Sequence, residues 1–397
     1  MMMNSLKSLI PILVILISVV YGYQQFLRSP SLIVDSLAYL PLMLAALVGM
    51  LTIHFNRSAI FFFMLLIMSV SGVLIFELTP TALHYGLLSG FVPLLLLFFT
   101  VMPERGLLSV RSIPVYAALL LVLVFSAWTI IETPDLVQYY LLTDWLPARY
   151  FDWTPLPQTV IFCSLIIFFQ LLLLSFLRPS PLVAASLGIL LVLLLVLQLE
   201  KNAYVLNVFI SAGLLMCLYA VMQESWRMAY LDELTDLPGR RALRERFQSI
   251  SGTYTVAMLD VDHFKKFNDS YGHDTGDEVL RMIASKMKDV SGKGLPYRYG
   301  GEEFAIVFPG KARQDSEAHL ETLRKVIADM PFVVNRQGRR NTKQRTRNSK
   351  SKTVQVTVSI GLADSKGKKN ASAWNLLKQA DTALYRAKKK GRNQVSV

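Results

Sequence analysis

The distribution of apolar positions divides the chain near residue 222. Before that point, long uncharged runs recur near 6–23, 34–53, 58–76, 82–102, 113–131, 159–177, 181–199 and 203–222. Runs of about 18–22 mostly apolar residues are long enough to cross a bilayer as helices. Helix is also the one state in which a single run satisfies its own backbone in lipid. The pattern therefore predicts an α-helical transmembrane bundle over 1–222, with about eight helices. Pro41 falls inside the second run, which leaves a count of seven or nine open. No small-residue cleavage site follows the first run, so it is expected to be a retained span and not a signal peptide.

After residue 222 the period changes. Residues 223–234 carry Trp226, Met228, Tyr230, Leu231 and Leu234 and predict a helical stalk, too short for a heptad coiled coil. Residues 235–397 alternate between strand and helix patterns. Strands are predicted at 254–260, 296–299, 303–308 and 354–363, and helices at 275–290, 313–330 and 373–389. Gly300 and Gly301 between the second and third strands mark a hairpin. This mixed order predicts an α/β (α+β) domain with a mainly antiparallel sheet flanked by helices, not a Rossmann fold. The chain has neither a GxxxxGK[ST] loop nor a GxGxxG turn.

Charge sharpens the division. The chain holds 41 basic and 28 acidic residues, and residues 1–222 hold eight of each. The whole +13 therefore belongs to residues 223–397, which excludes one uniform soluble domain and a disordered chain. With a cytoplasmic N-terminus, Lys7, Arg57, Arg105, Arg111 and Arg178 lie inside, and Arg28, Arg149 and Lys201 lie outside with most of the acids. That positive-inside bias, with eight spans, places the C-terminal half in the cytoplasm. Almost no ionisable residue sits mid-span, which argues against a transporter. Cys163 and Cys217 both lie in apolar runs and offer no disulfide framework or zinc spacing.

The loop 132–158 is rich in aromatics, among them Tyr139, Trp145, Tyr150 and Trp153. It reads first as an interfacial segment and second as a periplasmic site for a ligand or protein partner. His54 and His84 are isolated and read as packing or interface residues, and His273 and His319 as structural.

Five segments of the second half occur in a specific order. They are Asp232-Glu-Leu-Thr-Asp-Leu-Pro-Gly-Arg-Arg241, Leu259-Asp260 through Asp277, Arg298-Tyr-Gly-Gly-Glu-Glu-Phe304, Val356-Thr-Val-Ser-Ile-Gly361 and Ala387-Lys-Lys-Lys-Gly-Arg-Asn393. In this order they resemble the diguanylate cyclases, the GGDEF-motif family, here in the GGEEF form. The resemblance covers about residues 230–397, and the membrane half resembles no family. It implies a palm-like domain that condenses two GTP into cyclic di-GMP and two pyrophosphates as a homodimer. It further implies that Asp260 and Glu302, with the carbonyl of Val261, bind Mg²⁺ (Mn²⁺ as the alternative), and that Glu303 supports a second metal. Glu302 would also accept the proton. Asn268 and Asp277 would bind the guanine edge, and the amides of His263 and Phe264, with Lys388 and Arg392, the phosphates. Lys265 would stabilise the transition state.

Elementary chemistry agrees with that assignment. Nucleotidyl transfer needs carboxylates that hold a hard cation on phosphate oxygens. Asp260 ends a strand and Glu302 and Glu303 sit on a hairpin, so the three can converge. The Gly300–Gly301 turn lets a nucleotide approach the backbone. Asn268 and Asp277 alone would read as helix caps, and the motif context reverses that. Asp262 is expected to face away from Asp260 and to be structural. The run Lys388-Lys389-Lys390 is commonly a solvated helix end, and only Lys388 has a reason to face phosphate.

Two departures stand out. The family's inhibitory RxxD is replaced by Ser291-Gly-Lys-Gly294, so no inhibitory product site is expected. The linker between Phe332 and Val356 is long and strongly basic over 336–352. It reads as a solvated loop or a contact to anionic lipid, with nucleic acid an unlikely partner. Degenerate, purely nucleotide-binding relatives usually lose the signature carboxylates or the Lys–Arg pair. This chain keeps them, which favours an active enzyme in the bacterial inner membrane, regulated through its membrane domain. No phosphodiesterase domain is expected.

Overall fold

The computed structural model describes residues 2–26, 39–75, 82–104, 143–198, 203–334, 352–366 and 372–397, with scattered positions between 106 and 139. Two compact units result, Met1–Ser225 and Trp226–Val397. The fifth predicted span, 113–131, lies mostly outside the described residues, and the basic segment 336–352 almost wholly so.

The first unit is helical. Among the described residues its α-helices are α1 (Met2–Phe26), α2 (Leu40–His54), α3 (Ser58–Ile75), α4 (Ala82–Val101), α5 (Gln158–Leu177), α6 (Pro181–Gln198) and α7 (Ala203–Tyr230), the last of which includes the boundary between the units. Pro41 stands in the first turn of α2, where a missing N–H costs nothing, and so begins that helix. Helix α6 is apolar on all sides and buried along most of its length, as such a helix must be. At its middle, a Cβ on Gly188 would overlap Ile12 and the Met216 sulfur, so glycine lets α1, α6 and α7 meet closely. The outer faces are also apolar: Ile17, Met43, Met50, Ile166, Phe169 and Leu173 are exposed. An apolar surface on that scale is foreign to water-facing monomers. Among the described residues, Gln158–Leu177, Pro181–Gln198 and Val205–Tyr230 are long and apolar enough to cross a membrane, and the apolar stretches Ser8–Gly22, Leu40–His54, Ser58–Gly72 and Phe91–Val101 are shorter.

The second unit is built on a five-stranded sheet. Strands β1 (Tyr254–Val261), β2 (Leu295–Gly300), β3 (Glu303–Pro309), β6 (Val358–Asp364) and β7 (Val395–Ser396) lie in the order β2-β3-β1-β6-β7. Strands β4 (Pro331–Val334) and β5 (Lys352–Gln355) form a separate antiparallel pair. All pairings in the main sheet are antiparallel except β6 with β7, which is parallel. The sheet is thus mixed. The single strand predicted over 354–363 is instead two, because Thr357 turns aside: its carbonyl accepts the Asp262 N–H at 2.9 Å and its hydroxyl donates to the Asp262 carboxylate at 2.8 Å.

Every residue of β1 is buried, so both faces of the sheet are covered. Ala257, Leu259 and Val261 face a core shared with α10 (His273–Lys288) and α11 (Arg313–Asp329). Tyr254, Val256 and Met258 face the other core, with α8 (Arg240–Ser249) and α12 (Ala373–Lys389). The helices α8 and α9 (Phe264–Tyr271) have no counterpart in the sequence-based expectation, and the stalk helix ends at Tyr230, earlier than expected. There Leu231 pairs with Pro238 and closes a turn.

Gly361 of β6 lies directly under α12. A Cβ there would overlap the backbone of Ala380 and Leu384, which cannot retreat as a side chain could. Gly361→Ala should lower the stability of the 226–397 unit by about 2–3 kcal/mol, seen as a lower urea midpoint with unchanged slope.

Candidate active site

Strand alternation carries even-numbered residues of β1 toward α12, and Asp260 continues that series at the strand's end. The residue is 5% exposed, and its carboxylate meets Lys388 in the last turn of α12, with Nζ to Oδ1 at 2.8 Å. Directly across the antiparallel ladder stands Glu303, and Glu302 precedes it in the hairpin turn. Cross-strand partners share a face, and like charges there repel. Burial pushes the Asp260 carboxyl up, and the Lys388 hydrogen bond offsets this only in part. Burial and then the Asp260 charge raise both Glu302 and Glu303. Three carboxylates thus lie near enough to interact, and Lys388 is bonded to Asp260 among them. A hard divalent cation suits that donor set. Among the described residues no group of three or more His, Cys, Asp or Glu is close enough to form a ready-made metal cage. Two side-chain ligands and a carbonyl would fit an ion that keeps water.

Gly301 has φ of +48°, and a Cβ at Gly300 or Gly301 would meet nothing within 4 Å. The space above the turn is open to a ligand. A device missed in the sequence holds this turn. Arg298 donates to the Gly301 carbonyl at 2.7 and 3.2 Å and to Asp232 at 2.7 Å. Asp232 also accepts from the N–H and hydroxyl of Thr235, at 2.9 and 2.6 Å. The opening motif and the signature hairpin are therefore one hydrogen-bonded unit. Its signal was present as the paired motifs, without a role for either charge.

On the other rim, β1 gives way to α9 through His263, whose φ of 57° is left-handed. Phe264 is buried and anchors the start of α9, and Lys265 follows, exposed. The N-cap residues of α9 and α10, His263 and Gly272, make no side-chain cap bond, so Asn268 and Asp277 cap neither helix. The Asn268 Oδ1 is buried with no hydrogen-bond partner. A Cβ on Gly276, the residue before Asp277, would overlap that oxygen, so glycine makes room for the amide. A buried polar atom without a partner is costly and fits a group awaiting a ligand.

Helix α12 ends through Gly391 (φ +111°) and Arg392 (φ +66°), whose N–H bonds the Ala387 carbonyl at 3.0 Å. This left-handed cap sets Arg392 near enough to Asp260 for its charge to lower that carboxyl. Lys388, expected at phosphate, bonds Asp260 in this structure. Asp262 is structural, though not through strand direction, since residues two apart on a strand share a face. The strand stops at Val261, and Asp262 accepts from Thr357, Ser359 at 2.6 Å and the Asn393 N–H at 3.1 Å.

The model of the family described as diguanylate cyclase, GGDEF domain, matches residues 229–394. The C-terminal unit is a GGDEF domain. Its relatives include the response regulator PleD of Caulobacter vibrioides, 36% identical over 182 residues, which cover 44% of this chain and 37% of that protein. Diguanylate cyclase DgcP of Pseudomonas aeruginosa is 34% identical over 184 residues, 44% of this chain and 25% of that protein. The chain thus spans about a third or less of the length of these curated relatives. Among solved structures, the coiled coil and GGDEF domain of DgcB from Caulobacter crescentus, in complex with c-di-GMP, aligns at 33% identity. That alignment covers 44% of this chain and 88% of that one, with a TM-score of 0.38.

The Arg298–Asp232 pair of the GGDEF domain makes a testable demand. Burial works to raise the Asp232 carboxyl, but hydrogen bonds from Thr235 and Arg298 prevail and hold it below the ordinary value. A carboxylate held low contributes stability above its unfolded value and loses it as pH falls through the folded value. Asp232→Asn should cost the domain about 1–3 kcal/mol near neutrality. The difference from wild type should shrink below about pH 4, as read by urea denaturation across pH.

Proposed function

We propose that the protein is a membrane-anchored diguanylate cyclase, condensing two GTP into cyclic di-GMP and two pyrophosphates. The observation that carries this reading is the convergence of Asp260, Glu302, Glu303 and Lys388 at one edge of a GGDEF domain. Asn268, once its amide turns out from Gly276, and the Asp277 carboxylate would accept from the N–H groups of a guanine edge. The first amides of α9, at His263 and Phe264, favour phosphate as helix N-termini do. Lys388 and Arg392 add cations on the opposite side, and the long lysine stem lets the same ammonium turn from Asp260 to a phosphate. Lys265, exposed at the second position of α9, faces solvent where charge develops.

Asp260, Glu302 and the Val261 carbonyl would hold Mg²⁺, or Mn²⁺ in its place, and Glu303 would support a second ion. When bound, such a cation neutralises the triphosphate and polarises its phosphorus. The 3′-hydroxyl of one GTP attacks the α-phosphorus of the other, Glu302 takes the hydroxyl proton, and pyrophosphate leaves. Because each product needs two such events, two copies must face each other about a two-fold axis, which makes the working unit a homodimer. The apolar outer faces of the helical unit support a multi-pass location in the inner membrane, with the GGDEF domain on the cytoplasmic side where GTP is present. Control then comes through the membrane unit, from an as yet unnamed membrane or periplasmic partner.

Glu302→Ala should lower cyclic di-GMP formation by roughly 10³-fold, with the unfolding midpoint unchanged because the turn is partly open. Substantial product from that variant would refute the reading. A second expectation concerns feedback. Where the family carries RxxD, Ser291 instead bonds His319 Nδ1 at 2.8 Å and Gly294 is wedged against Phe308. Lys293 is a point charge without the arginine fork. Losing a charge-assisted bidentate pair should weaken product binding roughly a hundredfold. Added cyclic di-GMP at low micromolar levels should therefore leave the full chain's turnover unchanged in steady-state assays.

A further inference from the structure

Residues 143–157 take no part in the proposed chemistry and contain a single short 3₁₀ turn, Ala148–Tyr150, yet side chains hold them in one shape. Gln158, 3% exposed, accepts the N–H groups of Trp145 and Leu146 at 3.0 and 2.9 Å and donates to the Leu146 carbonyl at 2.8 Å. Gln198 donates to the Thr154 hydroxyl at 2.7 Å. Gln158 opens α5 and Gln198 closes α6, so the segment is tied to the shared end of two helices of mean hydropathy 2.7 and 2.5. From this base three rings project, Trp145 and Trp153 each 65% exposed and Tyr150 58%.

Both indole N–H groups are already paired, and the tyrosine oxygen accepts one bond. Trp145 Nε1 donates to Thr159 Oγ1 at 3.1 Å, and Trp153 Nε1 to the Tyr150 carbonyl at 3.0 Å. The Tyr150 hydroxyl accepts from Arg149 at 3.2 Å. In water this inward pairing brings little, since solvent would serve the same donors. In a less polar medium it removes the cost of burying an unpaired donor. The headgroup layer at the end of a membrane span is such a medium, and Trp and Tyr concentrate there. The segment carries Arg149 against Asp144 and Asp152, so no cationic surplus draws it to anionic lipid.

We propose that residues 143–157 form a pre-shaped platform that seats Trp145, Tyr150 and Trp153 in the headgroup layer of a bilayer, through aromatic burial and not charge. This rests on the membrane reading above. The test compares the full chain with its W145F/W153F variant, reconstituted in zwitterionic phosphatidylcholine vesicles brominated either near the headgroup or near the chain ends. The emission lost in the variant belongs to the two tryptophans. The platform requires that component to be quenched about twofold or more by the shallow bromines, less by the deep ones, and little by aqueous iodide, at low and high salt alike. Quenching by iodide and not by bromolipid would overturn it, whether the rings face water or await a soluble partner. The single variants W145F and W153F give the same readout should the double variant fail to fold. Flotation of the same vesicles separates the two claims. Protein that does not float removes the membrane reading and the platform together, whereas floating protein with iodide-quenched rings removes the platform alone.

Discussion

The structure of the GGDEF domain depends on one electrostatic conflict. Three carboxylates, Asp260, Glu302 and Glu303, are drawn together at the end of a strand that is buried on both faces. The apolar alternation of β1 cannot be changed without moving its core, and so it delivers Asp260 to this position regardless of the cost. Lys388 offsets part of that cost at 2.8 Å, and the rest remains as raised carboxyl groups. A fold concerned only with stability would replace such a cluster by apolar residues. Its place beside an open glycine turn is what the proposed cation and phosphate chemistry rests on.

Much of the rest of the domain serves to keep that cluster in place. Arg298 and Asp232 brace the turn from one side, and Asp262, with its hydroxyl and amide donors, fixes the junction of β1, β6 and the segment after α12. Gly361 lets α12 settle on β6, which sets the height of Lys388 relative to Asp260. Gly276 does similar service for Asn268. These glycines and carboxylates carry out packing and bracing, and the reacting groups are few beside them.

Strands β1, β2 and β3, helices α10, α11 and α12 and the hairpin were legible because alternation, helical spacing and glycine placement are local signals. The convergence of Asp260 with Glu302 and Glu303 was legible for the same reason, as strand end and turn. Other features depend on partners distant in sequence. Thr357 breaks a continuous apolar strand pattern because Asp262, 95 residues earlier, claims its hydroxyl. The parallel pairing of β7 adds a very short strand that no periodicity marks. Helix α8, rich in arginine, has a weak apolar stripe formed by Leu243 and Phe247. The motif points Lys388 at phosphate, and its bond to Asp260, which no motif marks, follows from how α12 crosses the sheet. In the helical unit the apolar runs 40–54, 58–75 and 158–198 follow the hydropathy pattern closely. The Gln158 clamp does not, because a lone glutamine at a helix start carries no sequence signature.

The most direct measurement is to incubate the purified full chain with GTP and Mg²⁺ and to separate the nucleotides formed. The account requires cyclic di-GMP with two pyrophosphates for each molecule, formation that rises more than linearly with protein concentration where dimers dissociate, and none when the divalent cation is chelated. GTP left intact with either Mg²⁺ or Mn²⁺, or product formed just as well after chelation, would contradict it.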